Sequence, residues 1–540
     1  MSDEHGPTET TNEATTNERR AGETSDGLST AERAIVERGR EWIRAHETDL
    51  EELLAALVAR PSVTGAEGTT DDPETTVGHL HEFLTQRLER ADLTTQRLTD
   101  VGSASEPRDN CYAVLEGESD ELLVCTSHTD TVPPGDSTDW PNDDPYELAR
   151  GVVRRPEPET LELRVGDRVE TRSIRGRYDR IWRRRAEGDD RGGGESSADE
   201  RAVFVGRGAY DNKASIVCLV GSLLALEAAL GDDAELDGTL VHGHLVGEEV
   251  AQEGAKAMVG REGYPDWLGD RYPDPSGAAV VLEGSYGFVP AIGHRGLAWI
   301  SLRAEGESTH ASTPHLGRNA VLGTAEALAG VRDRPFRNEL VEPFREDELL
   351  GDLTVAAGTT IAGGDVRRVE DGVVDRGGVN SVPDWCETTF DVRFPRWASF
   401  PDDLESVRDH LETTIESQAA DRAPDVEFEA EIDPEEFFPP VAVAASEADS
   451  LDHPLVATAI DAARGTFGYD PGVTVAPGVT DAASIYHGTR LPTLVEYGPA
   501  GAWSHEPLEF VEREQVVRGA EALLEFAVRQ LGLSEGGTDR

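Results

Sequence analysis

The sequence predicts an α/β protein built on a mostly parallel sheet and interrupted by a smaller inserted α+β domain. Two observations carry this. Short apolar runs at 122–127, 240–246, 278–282 and 492–496 read as buried strands and alternate with helical segments, the pattern of a parallel sheet. Between 297 and 432 the character changes to strands at 298–303 and 388–394 with helical periodicity at 319–331 and 402–418, and after Pro439 the first pattern resumes. A chain of 540 residues exceeds one compact core, so at least two domains are expected. The expected division is a tail over 1–28, the first domain over 29–293, the insert over 294–432, and the return of the first domain over 433–540.

Residues 1–28 are rich in Thr, Glu, Asn and Asp with almost nothing to bury, and are expected to be disordered. They hold no apolar stretch of the kind a signal peptide or anchor needs. Helical periodicity over 31–60 puts Ile35, Trp42, Ile43, Leu50, Leu53, Leu54 and Leu57 on one face, where the first domain begins. The segment 151–200 gathers Arg154, Arg155, Arg175, Arg177, Arg180, Arg183, Arg184 and Arg185 and runs into Gly192, Gly193 and Gly194. It reads as a surface insertion with a flexible end, its arginines paired with the protein's own carboxylates. The apolar stretch 216–230 is too short for a bilayer and contains Glu227, so a core helix is expected.

Acidic residues number 106 against 50 basic ones, a formal net charge of -56, which would repel nucleic acid and anionic membranes. Lys213 and Lys256 are the only lysines, so the lysine enrichment of hyperthermophiles is missing. An excess of carboxylates is tolerable where salt shortens the screening length to about 3 Å at 1 M, which points to a halophilic cytoplasm. Cys111, Cys125, Cys218 and Cys386 form no Cys-x-x-Cys pair and read as buried free thiols in a reducing compartment.

Five places carry chemistry, each at or after the end of an expected strand, where open α/β sheets build their sites. In the first, Ser127, His128, Thr129 and Asp130 follow an apolar strand, and in extended chain His128 and Asp130 point the same way, so the carboxylate can hold the second ring proton of a metal-bound imidazole. In the second, a glycine-punctuated loop from Gly206 offers Asp211 ahead of a helix starting near Lys213, which an ordinary aspartate cap would also explain. In the third, Glu248 and Glu249 end a strand, where one carboxylate can bind metal while the other activates a metal-held water. Glu283 and His505 complete the set. Two histidines and four carboxylates without cysteine suit a hydrolytic zinc site, and a bridging carboxylate with two further ligands apiece would hold two metals about 3.5–4 Å apart. Asp211 is the natural bridge. His242 and His244 read as packed rather than ligating.

With these motifs in hand, residues 30–530 resemble the zinc-dependent aminoacylases and exopeptidases that include acetylornithine deacetylase, succinyl-diaminopimelate desuccinylase, glutamate carboxypeptidase and carnosinase-like dipeptidases. The resemblance implies a dinuclear-zinc catalytic domain with Co2+ or Mn2+ as substitutes. His128 and Glu283 would hold one zinc, Glu249 and His505 the other, and Asp211 would bridge them. It further implies that Glu248 is the general base, that Asp130 orients His128, and that the Asp211–Asn212 peptide is cis. The run from Gly306 through His310 to Pro314, with Gly317, Arg318, Asn319 and Ala320, is similar to the family's lid, or dimerisation, motif. By that likeness His310 would stabilise the oxyanion of a partner subunit in a homodimer, and Arg295, Asn380 and Arg393 would bind the substrate carboxylate. Ser127 in place of glycine, the arginine-rich insertion and the ending after His505 depart from the family pattern without removing a ligand.

The expected activity is hydrolysis of the amide bond of an N-acyl amino acid through a zinc-bound hydroxide. A dipeptidase or carboxypeptidase with the same chemistry is the nearest alternative, and a non-catalytic metal-binding protein the more distant one.

Overall fold

The structure is a computed structural model, and it describes residues 27–99, 106–157, 159–173, 182, 200–231, 234–285, 287–331, 340, 344, 347–363, 380–397 and 404–534. The expected tail lies outside these residues except for Gly27 and Leu28, the latter buried. The side chains of Ser29 and Glu32 close a capping box on the helix Thr30–Ala45.

The helical periodicity over 31–60 is carried by two helices, Thr30–Ala45 and Glu47–Val58. His46 breaks the run: its backbone leaves helical geometry, its Nδ1 contacts the Trp42 carbonyl at 2.8 Å, and its ring stacks on Trp42 at 4.0 Å. Both helices pack with Ala214–Leu230 and Arg513–Leu531 in the main core. The helix Ala214–Leu230 is buried along almost its whole length, as expected of a core helix. Glu227 is tolerated there because its carboxylate accepts the backbone N–H groups of Glu89, Arg90 and Ala91.

The main sheet has the strand order Asp92–Leu98, Arg108–Leu115, Thr239–Leu245, Glu121–His128, Ser276–Val281 and Thr493–Leu494. The last four are mutually parallel and the first two add an antiparallel edge. The α/β class with a largely parallel sheet is therefore present, and the parallel strands deliver His128, Glu248 and Glu283 at one end of the sheet. A separate antiparallel sheet, ordered Thr354–Gly363, Trp385–Phe394, Gly296–Glu305 and Glu427–Phe438, carries the helices Ala320–Gly330 and Leu404–Arg422 over its own core. Its last strand runs past residue 432 to Phe438.

The described part of the arginine-rich insertion is built of strands. Ala149–Glu157, Thr160–Val165 and Arg168–Ser173 are antiparallel strands that extend Glu200–Val205, Phe510–Glu512 and Gly501–Ala502 into a six-stranded sheet. The physical reason is period-two alternation: Leu161, Leu163 and Val165 turn inward onto Val153, Val203 and Val205, while Glu162 and Arg164 turn outward. Arg154 and Arg164 both pair with Glu162, at 2.6 and 2.7 Å. Arg175, Arg177, Arg180, Arg183, Arg184, Arg185 and the three glycines lie outside the described residues. The four cysteines are free and buried.

Candidate metal centre

Each proposed ligand is placed by a local device. His128 ends its strand with its ring among three carboxylates: Nδ1 lies 3.3 Å from Asp130 Oδ1, and Nε2 lies 3.1 Å from Asp211 Oδ1 and 3.3 Å from Glu283 Oε1. Asp211 stands in a tight turn entered through Gly208 at a φ of 77°, and its peptide with Asn212 is cis. Glu509 holds that turn by accepting the N–H groups of Tyr210 at 2.9 Å and Asp211 at 2.8 Å, itself paired with buried Arg207. His505 sits in the hairpin loop after Gly501–Ala502, with Nε2 3.3 Å from Asp211 Oδ2 and 3.0 Å from Glu249 Oε2.

Two donor groups result, His128 with Asp211 and Glu283, and Asp211 with Glu249 and His505. Asp211 belongs to both and turns a different oxygen to each.

The donor set fits two cations. Glu249 Oε1 and Glu283 Oε1 are buried without a hydrogen-bond partner, the latter near His128 but outside bonding geometry. Burial raises the Glu283 carboxyl to about 8 and Asp481 nearby to about 7. Burial alone would lower the pKa of His128, yet Glu283, Asp130 and Asp211 raise it well above its ordinary value. A pocket of crowded carboxylates that draws protons onto its neighbours is one that positive charge would stabilise.

Glu248 follows Gly247, which holds a φ of 71° and has no room for a side chain: a Cβ would meet Glu253 Oε2 at 2.6 Å. Both Glu248 and Glu249 line a cavity of about 580 Å³ with Asp211, Glu283 and His505, which Leu297, Trp299, Arg393 and Phe438 of the smaller sheet also line. Burial raises the pKa of Glu248 well above the usual carboxylate range, assisted by Glu283, Asp481 and Glu249.

Of the expected substrate residues, the structure brings only Arg393 to this cavity, with its guanidinium held by Asp391 at 2.7 and 2.9 Å. Arg295 instead donates to the Asp352 carbonyl and Thr354 Oγ1, because its strand end faces the neighbouring segment. Asn380 is exposed and its carbonyl accepts Ala311 N. His310 is also exposed and bonds Ser312 Oγ at 2.7 Å, away from the cavity lining of its own chain. His242 and His244 are packed in their strand, and burial lowers them to about 3 and about 4.

Supporting residues that sequence reasoning passed over are buried charges. Arg108 lies between Glu67 and Glu253, and Glu67 accepts the N–H of Gly247 at 3.0 Å behind Glu248. Lys213 is buried and donates to the carbonyls of Leu57 and Arg60 at 2.9 and 2.8 Å. The near-total absence of lysine elsewhere was the signal available for that residue.

The family description "Peptidase family M20/M25/M40" matches residues 187–529. A probable carboxypeptidase of Aspergillus clavatus is 26% identical over 342 residues, covering 63% of this chain and 62% of that protein. A succinyl-diaminopimelate desuccinylase of Methylorubrum populi is 24% identical over 463 residues, covering 85% of this chain and 92% of that protein. The chain thus spans less than two thirds of the fungal relative and nearly all of the bacterial one. Among solved structures, a dipeptidase of Saccharomyces cerevisiae shares the fold with a TM-score of 0.59 at 11% identity, over 93% of this chain and 99% of its own.

Proposed function

This chain belongs to peptidase family M20/M25/M40, and from that premise we propose that it hydrolyses the amide bond of a small N-acyl amino acid, as a deacetylase or desuccinylase does, with two bound divalent cations. The observation that carries this reading is Asp211, whose two oxygens face separate donor groups. Zinc suits histidine and carboxylate donors without cysteine, with Co2+ or Mn2+ as substitutes. When bound, the cations would supply Lewis acidity toward the amide carbonyl and lower the pKa of a water.

The chain's own residues do the rest. Glu248 lines the cavity and, with its pKa raised above the usual carboxylate range by burial and by its carboxylate neighbours, can take a proton from the attacking water and return it to the leaving amine. Asp130 holds His128 by its Nδ1 and so fixes the tautomer that leaves Nε2 directed at Asp211 and Glu283. Arg393 lines the cavity, and the guanidinium N–H groups not taken by Asp391 can donate to a substrate carboxylate.

The 26% identical relative described as a probable carboxypeptidase favours a second reading, peptide hydrolysis by the same chemistry. A hydrolysis screen in molar salt distinguishes the two: acetyl- and succinyl-amino acids should release free amine, with loss of activity on chelation. Release from dipeptides alone would favour the second reading, and no hydrolysis of either class by the metal-loaded protein would refute both.

A further inference from the structure

The inserted strand Arg168–Ser173 meets the hairpin loop that carries His505. This loop joins the paired strands Gly501–Ala502 and Phe510–Glu512. Within it Trp503, His505 and Leu508 hold φ values of 65°, 63° and 67°, a region that residues other than glycine rarely adopt. A loop bent this way keeps one shape only when surrounding contacts impose it.

At its base Arg207 pairs with Glu509 and donates to the Glu506 carbonyl at 3.4 Å. On its outer side the contacts come from Arg172. That guanidinium donates to Glu506 Oε2 at 2.7 Å and to the Pro507 carbonyl at 3.2 Å, and lies 4.3 Å from the centroid of the Trp503 ring. Arg172 therefore grips residues on both sides of His505 without touching the imidazole. Leu161 and Ser173 of the same inserted arm line the cavity beside His505.

We propose that Arg172 is a positioning residue for His505, so that the inserted arm sets the affinity of one of the two metal positions, the one formed by Asp211, Glu249 and His505. The proposal rests on the two-metal reading above. Arginine suits the task because its plane can stack on Trp503 while its fork donates to two oxygens, whereas lysine would keep only the charge. Arg154 lies in the same sheet but pairs with Glu162, which makes it a control.

The test is a Zn2+ titration of the metal-stripped full-length chain in molar KCl against a competing chelator, with elemental analysis of the bound ion. The parent protein should bind two equivalents. Arg172→Ala should bind the first as the parent does and the second about tenfold more weakly, the lower end of the 10–100-fold typical for lost supporting contacts around a metal. Arg172→Lys should recover part of the loss, and Arg154→Ala should match the parent. Two equivalents at parental affinity in Arg172→Ala would overturn the proposal, as would equal weakening of both, which marks general loosening. A parent that binds one equivalent would overturn the two-metal reading itself. Should Arg172→Ala fail to fold by circular dichroism, Glu506→Gln decides: a weaker second equivalent supports the proposal and an unchanged one defeats it.

Discussion

Asp130 Oδ2 accepts the backbone N–H of Glu249 at 3.1 Å. Thr64 donates to that same oxygen at 2.8 Å, and through its other oxygen the carboxylate accepts Glu248 N–H at 3.1 Å and faces His128 Nδ1 at 3.3 Å. One buried aspartate thus ties the histidine of one donor group to the backbone of the glutamate in the other.

Asp130→Asn should therefore disturb both groups. An amide offers one oxygen where the carboxylate offers two, so one backbone N–H or the imidazole is left facing a second donor. Metal affinity should fall about 10–100-fold at both positions, the usual cost of losing such a supporting contact. Chelator competition measures it, and unchanged affinity would remove Asp130 from this role.

Glu248→Gln should abolish turnover while two metals stay bound, because the amide keeps the shape but cannot accept the proton. Glu249→Ala should lose metal as well as activity, since Glu249 faces His505 in the second donor group. Equal metal loss in the two variants, by elemental analysis, would contradict this division between adjacent residues.

His128, Glu249 and Glu283 were legible as candidate ligands because they follow strands with continuous apolar runs, whereas His505 sits in a hairpin loop with no such run before it. The strands of the inserted arm went unread because its arginines drew attention from the strict alternation of Leu161, Leu163 and Val165 with charged neighbours. Arg108, Glu67, Glu253 and Glu509 were out of reach for a different reason. In sequence they resemble the many solvated charges of an acidic chain, and only tertiary pairing makes them buried. The placement of Arg295 is likewise set by the Asp352 carbonyl, a backbone partner that no side-chain pattern marks.

Metal affinity should fall steeply with acidity. Bonds to Asp211 and Glu249 raise His505 to about 10, and burial raises Glu283 to about 8. Both pKa values stand above neutrality, so at pH 7 and below both groups hold protons in the metal-free protein, and a cation must displace them. Lowering pH favours the protonated, metal-free form, and apparent affinity should drop about tenfold per pH unit for each displaced proton. Titration calorimetry in buffers of different ionisation heat counts those protons, and a count of zero would be inconsistent with this donor set.

Folding and activity should weaken in dilute buffer. The motive is the net charge of -56, whose self-repulsion is screened over about 3 Å in 1 M salt but over about 10 Å at 0.1 M. A thermal midpoint that holds or rises as salt is lowered from molar to millimolar would count against a halophilic protein.

The last prediction concerns His310. It lies in the smaller sheet's domain, exposed and outside the cavity lining of its own chain, while that cavity is lined by Glu248, Asp211, Glu249, Glu283 and His505. If the chain forms the homodimer that its lid motif implies, His310 can serve the site of the neighbouring subunit as an oxyanion donor. A His310→Ala subunit would keep a complete metal site but fail to supply its partner, and a Glu248→Gln subunit would have the opposite defect. In a mixed dimer the intact Glu248 of the first and the intact His310 of the second meet in one site, so co-refolding two inactive variants should restore turnover. Loss of one oxyanion donor typically costs about 10²–10³-fold, which makes the recovery easy to see. Mixtures that stay as inactive as the separate variants, while size analysis confirms mixed dimers, would mean that His310 acts within its own chain or has no part in catalysis.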